Sequence, residues 1–287
     1  MTMWRPTRIK GQNGNATTTS ACAVPVETDV GSAFAKTLGG PDEPPRALAC
    51  DWIGSRLGQL MDLPVPAVAI CQLDLPLVLN DKGHQAKQGP AFLSKRVENA
   101  EVWDGNEAQL RGLQNPEALA GIMVLDTWIL NVDRYSVKEG GAIRRNVRNV
   151  LIELRGGTGR RQKRWVWAID HTHCLTRRDG GAFAVPPDAI DHFKNDNAFG
   201  VFPAFKPLIT EASTRPWIDK LGSIEDVSIR GILDVVPPQW EVTANELDAL
   251  HRLITRRRDY LLDHWQSIFA PACGWQARLM DPSPEEQ

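Results

Sequence analysis

Apolar residues recur along this chain first with strand spacing and then with helix spacing. Alternating runs at 21–27 and 32–37, joined by Thr28-Asp29-Val30-Gly31, predict a β-hairpin. After the breaker run Gly39 to Pro45, Leu48, Trp52, Ile53, Leu57 and Leu60 predict a helix over 46–61. Leu63-Pro64-Val65-Pro66 stops that helix and leads into a strand at 67–73. A polar hairpin or loop occupies 75–89, and 91–97 reads as a further strand. Beyond it the pattern turns polar and helical, which places a hinge at Phe92 to Arg96.

The longer remainder is mostly helical. Asn115-Pro116-Glu117 reads as an N-cap followed by proline at the first helical position. Leu119, Ile122, Met123, Asp126 and Ile129 follow at helical spacing, with apolar residues on nearly every side. That predicts a buried helix of about 15 residues, roughly 22 Å long, on which a buried Asp126 needs a partner. Strands are expected at 149–154 and 164–169, across a glycine-rich turn. Further helical segments are expected near 188–194 and 224–235. A last one opens on the capping box Thr243-Ala244-Asn245-Glu246 and continues with Leu247, Leu250, Ile254, Leu261 and Trp265. The predicted organisation is an N-terminal lobe over 1–96, a C-terminal lobe over 97–280 and a frayed tail over 281–287.

Composition narrows this picture. Of 287 residues, 42% are hydrophobic and ten are tryptophan, enough for a real core. The net charge of −2 gives no global pull toward nucleic acid or anionic membrane. Between Arg134 and Arg164, however, ten basic residues face only Glu139 and Glu153, a local patch that reads as a solvated hairpin face ahead of a contact for an acidic partner or RNA. Five cysteines without close CxxC spacing speak against a disulfide framework and for a reducing cytosol. No apolar run is long enough to span a membrane, and the first residues lack the apolar core of a signal peptide. The expected location is cytoplasmic.

Candidate chemistry gathers at the edges of apolar elements. Asp133 leaves the helix in LDTWILNVDRY, Asn149 stands at the start of RNVLI, and Asp170 ends WVWAIDH. One group for a nucleophile's proton and two oxygen ligands for magnesium are what phosphoryl transfer needs. Asn146 competes with Asn149 for the second ligand position. Upstream, Lys36 reads either as a strand lysine projecting into a cleft toward nucleotide phosphates or as one on the solvent face. Asp51, beside the buried helix face, is placed to reach back to Lys36 or to lie on an exposed edge. KGQNGNATTTS, Lys10 to Ser20, has no strand or helix periodicity; its Thr18 and Thr19 offer hydroxyls and amides for phosphates, or belong to an ordinary surface loop. His171, His173 and Cys174 have no matching second ligand pair, so zinc is the weaker reading there.

This order of residues resembles the HipA-like kinases, bacterial enzymes distantly akin to phosphoinositide and protein kinases. LGQLMDLPVPAVAI is similar to their helix-to-strand passage before the hinge, DTWILNVDRY to their helix and catalytic loop, and RNVLI with AIDH to their metal-binding strands. The resemblance implies an α+β, two-lobed kinase-like fold, with a small β-rich N-lobe, a mainly helical C-lobe and an ATP cleft between. It implies ATP and Mg2+ as cofactors and a protein Ser or Thr as phosphate acceptor. Lys36, Thr18 and Thr19 would then meet the phosphates, Asp51 would hold Lys36, and the hinge backbone at Leu93 and Ser94 would meet adenine. Asp133 would be the catalytic aspartate, and Asn149 and Asp170 the metal ligands. Tyr135 stands where the family commonly has histidine, and Asp51 where it has the longer glutamate. Those departures keep open a pseudokinase or nucleotide-binding interaction module, including a partner in a toxin–antitoxin system. A small-molecule or lipid kinase is the other enzymatic alternative.

Overall fold

The computed structural model describes residues 4–17, 22–40, 44–137, 140–156, 162–175 and 193–275. The N-terminal part is an antiparallel sheet of β1 (Ile9–Gln12), β2 (Val24–Thr28), β3 (Gly31–Lys36), β4 (Val68–Leu73) and β5 (Gly89–Lys95), in the order β1-β2-β3-β5-β4. Alternation in β2 buries Val24, Val26 and Thr28 and leaves Pro25 and Glu27 half-exposed, which is why the strand has an inside. One sheet face closes its own small core around Ile9, Val24, Val26, Ala35, Leu73 and Leu93. On the other face, Val68 and Phe92 join α1 (Arg46–Leu60) in the main core through Leu48, Ile53 and Leu57.

The C-terminal part forms around α3 (Ala118–Trp128), a helix whose eleven residues are all buried. A short α2 (Glu107–Leu110) precedes it, and α4 (Glu211–Gly222), α5 (Asp226–Leu233) and α6 (Ala244–Cys273) follow. A three-stranded sheet in the order β10-β9-β6 joins β6 (Ala100–Val102), β9 (Val150–Arg155) and β10 (Lys163–Ala168). A separate hairpin pairs β7 (Tyr135–Val137) with β8 (Ile143–Arg145). The lobes are stitched through α1 and β5. Arg46 meets Glu246 at 2.6 Å, Trp52 Nε1 donates to Ile232 O at 2.9 Å, and Trp240 Nε1 donates to Pro90 O at 2.9 Å.

The two-lobed α+β arrangement expected from the sequence is present, with local corrections. Lys10 to Gln12 belong to β1, an edge strand with only Ile9 buried, so its alternation was invisible. β6, the β7–β8 hairpin and α4 also stand where no element was predicted; three-residue strands carry too little pattern to read. Asn115 does not cap α3. Its amide bridges the backbone of β10 instead, donating to Val166 O at 3.0 Å and accepting from Val166 N at 2.9 Å. α3 is therefore shorter than expected, about 16 Å. Thr243 and Glu246 do form the reciprocal capping box that opens α6. Part of the segment at 188–194, and all of 281–287, lie outside the described residues.

Candidate active site

Lys36, the last residue of β3, is buried. Its Nζ lies 2.7 Å from Asp51 Oδ2, 2.9 Å from Asp170 Oδ1 and 2.7 Å from Thr172 Oγ1. α1 supplies Asp51 from its inward face; the segment after β10 supplies Asp170 and Thr172. Asp51 reaches Lys36 directly although it is a methylene shorter than glutamate. Its other oxygen, Oδ1, accepts from His171 N at 2.9 Å, which fixes α1 to the end of β10. That fit depends on Gly54: a Cβ there would lie 2.6 Å from His171 Cβ.

These charges shape one another. Burial pushes the Asp51 carboxyl up, against the pull of Lys36. Burial also opposes charge on Asp170, but Lys36 and the Thr172 hydrogen bonds outweigh it and hold this carboxyl well below the usual range. Asp170 keeps 26% side-chain exposure, so a polar ligand has access to it. His171 is wholly buried with Nδ1 3.2 Å from Ser55 Oγ, and burial beside Arg134 holds its pKa down to about 3. It is a neutral packing histidine, and among the described residues no group of three His, Cys, Asp or Glu side chains could hold a metal.

Asp133 follows α3 after Leu130 takes φ of 54° and ends the helix. Its carboxylate is almost fully engaged. Oδ1 accepts from Arg144 Nε at 2.8 Å and Nη2 at 2.6 Å; Oδ2 accepts from Asn146 Nδ2 at 3.0 Å and Asn149 Nδ2 at 2.9 Å. Asn149 closes a short 3-10 turn immediately before β9, not the strand's first position. Because Ile169 N donates to Asn149 O at 3.1 Å, the β9–β10 ladder puts Asn149 and Asp170 at one end of the same hairpin.

Arg134, fully buried, ties this together. Its Nε donates to Asp126 Oδ2 at 2.7 Å, and its Nη1 donates to Asn149 O and to Ile169 O. Asn131 Nδ2 adds a bond to Asp126 Oδ1 at 2.9 Å. Asp126 thus has the partners its burial demands, and the loop bearing Asp133 is bolted to the strand ends bearing Asn149 and Asp170.

The sequence-predicted residues divide accordingly. Lys36, Asp51 and Asp170 share direct contacts, as do Asp133 and Asn149. Asn146 reaches the same oxygen as Asn149. Leu93 and Ser94 lie inside β5, paired with Ala35 and Phe34 on one side and Ala69 and Val68 on the other. Their backbone groups are taken up by the sheet, and the chain leaves it after Lys95. Thr18 and Thr19 lie outside the described residues. Thr172, Arg134 and Arg144 were not foreseen. Arg134, next to Asp133 and eight positions from the apolar helix's lone acid, was the one with a readable signal.

Comparison with known proteins points to a kinase. A family model described as HipA-like kinase matches residues 33–175. No curated protein matches. A similar solved structure is the crystal structure of a Helicobacter pylori proinflammatory kinase, CtkA, with a TM-score of 0.53 at 12% identity, covering 98% of this chain and 100% of that one. At that identity the likeness is one of fold.

Proposed function

A HipA-like kinase family model matches residues 33–175 of this chain, and from that premise we propose an ATP- and magnesium-dependent kinase that transfers the γ-phosphoryl group to a hydroxyl, that of a protein serine or threonine. One observation carries this reading: Lys36 sits between Asp51 and Asp170, at the strand ends where Asn149 is bonded to Asp133. Phosphoryl transfer asks a protein for positioning and charge neutralisation, and these groups suit both.

Lys36 would meet the ATP phosphates, with Asp51 and Thr172 fixing its ammonium. Asn149 spends its side-chain Nδ2 on Asp133, which leaves its side-chain Oδ1 for a cation; Asp170 meets Lys36 and Thr172 through Oδ1, leaving Oδ2. Two such oxygens, completed by phosphate and water, would suit magnesium, which keeps several waters and rarely takes an all-protein cage. Bound there, magnesium would supply charge neutralisation on the β- and γ-phosphates. Asp133 would orient the acceptor hydroxyl and receive its proton. Adenine would meet the backbone after Lys95, in 96–98, rather than Leu93 and Ser94.

The test is transfer of label from γ-labelled ATP with magnesium, comparing wild type with Asp133→Asn. We expect loss of roughly 10²–10⁴-fold in transfer, with the ATP-dependent thermal shift retained. Equal labelling by both proteins would sink the role given to Asp133.

A further inference from the structure

Sixteen positions separate Asp133 from Asn149, and the chain between them builds the β7–β8 hairpin. Its base is fixed: Ser136 Oγ donates to Val132 O at 2.7 Å, and Asn146 N donates to Arg134 O at 2.9 Å. Its outer pair, Val137 and Ile143, is 56% and 61% exposed. Between base and tip, Arg144 stands opposite Ser136 and turns its guanidinium onto Asp133 Oδ1 through Nε and Nη2. The Arg144 side chain is 30% exposed and that of Asp133 11%, so the guanidinium stays accessible to a ligand.

Resting on the kinase reading above, we propose that Arg144 is a further catalytic residue, supplied in cis by this hairpin, which binds the γ-phosphoryl group during its transfer. Asp133 receives the acceptor hydroxyl, so a cation bonded to Asp133 lies within a few ångströms of the phosphorus that hydroxyl attacks. A guanidinium carries five N–H donors; two meet Asp133, and the others remain to grip phosphoryl oxygens in a planar fork. In the step, the hydroxyl oxygen forms its bond to the γ-phosphorus while the bond to the β–γ bridging oxygen breaks. That electron pair leaves with ADP, and the hydroxyl proton passes to Asp133. Arg144 neither gives nor takes a proton. It neutralises charge spread over the equatorial oxygens, and its attraction to them releases Oδ1 for the acceptor.

The experiment compares wild type, Arg144→Gln and Arg144→Lys for kcat, KM for ATP, melting temperature, and affinity for magnesium–ADP with and without fluoroaluminate, which mimics the transferring group. We expect Arg144→Gln to lose roughly 10²–10³-fold in kcat with KM for ATP changed by less than about three-fold. The extra affinity conferred by fluoroaluminate should vanish with it, and Arg144→Lys should recover part of both. A merely structural role would leave the fluoroaluminate increment in whatever protein remains folded, and that result in either variant would overturn the proposal. So would an Arg144→Gln enzyme with unchanged or increased kcat, the increase marking Arg144 as a latch on Asp133. Wild type that transfers no phosphate would overturn the kinase reading and this proposal together; transfer with Arg144→Gln unimpaired would overturn this proposal alone.

Discussion

Arg134 and Asp126 form an ion pair of 2.7 Å in which neither side chain has any exposure to solvent. Such a pair is costly to bury and weak evidence of stability gained, but costly to break from one side. Here the same guanidinium holds the backbone carbonyls of Asn149 and Ile169, so the pair fixes the geometry of the loop that carries Asp133.

Asp126→Asn should therefore lower stability by about 3–5 kcal/mol, because it leaves a buried guanidinium uncompensated. Urea unfolding monitored by tryptophan fluorescence checks this. A loss below about 1 kcal/mol would mean the site opens to water when the pair is broken.

Thr172 was invisible as a functional residue because a threonine after a strand has many bland uses. Its hydroxyl accepts from Lys36 and lies 2.6 Å from Asp170 Oδ1 and 2.8 Å from Asp51 Oδ2. Thr172→Val keeps the shape and removes that hydroxyl. The expected result is a destabilisation of about 1–3 kcal/mol and a raised KM for ATP, both restored by Thr172→Ser. Wild-type KM in Thr172→Val would show that Lys36 needs only its two carboxylates.

Gly54 sets how closely α1 approaches the end of β10. Gly54→Ala would place its methyl 2.6 Å from His171 Cβ, 3.0 Å from His171 Cγ and 3.3 Å from Cys174 Sγ. Neither of those ring-root atoms is a flexible side-chain end, so the helix must move, at about 1–3 kcal/mol. Because Asp51 bonds His171 N, nucleotide-dependent thermal shifts should shrink as well. An unchanged melting temperature would contradict the packing described.

Glu246 carries a pH signature. Burial raises its carboxyl pKa, but hydrogen bonds from Thr243 and the Arg46 ion pair outweigh this and hold it below the ordinary value of 4.5. A depressed folded pKa means that the unfolded chain takes the proton first, so stability is lost as pH falls. Glu246 thus contributes fully above about pH 4.5 and loses its contribution as pH drops through its folded pKa. Glu246→Gln should cost about 1 kcal/mol at pH 7, with the gap to wild type narrowing below pH 4.5. A gap independent of pH would exclude the charged form as its source.

Long elements with a strong period were legible. α1, α6 and its capping box, the β2–β3 hairpin and the β9–β10 pair lie within a few residues of where the periodicity put them. Elements of three or four residues were not, since β6, β7 and β8 owe their pairing to strands or turns elsewhere in the chain. Asn115 shows the same limit. Asn-Pro-Glu is a good local cap, yet the backbone of β10 competes for that amide and wins.

By itself the sequence determined which residue types were available and in what order: a lysine ending one strand, an acid on a buried helix face, then Asp133, Asn149 and Asp170 at the edges of apolar elements. Local periodicity suffices for that, because strands and helices are decided over a few residues. Whether Lys36 was a surface lysine, and whether Asp51 was too short to reach it, only the tertiary structure decided. Those answers depend on how α1, β3 and the end of β10 pack, with Gly54 permitting the approach. The pairing of Arg144 with Asp133 is of the same kind: eleven residues apart in the chain, they meet because a hairpin folds back over the loop that precedes it.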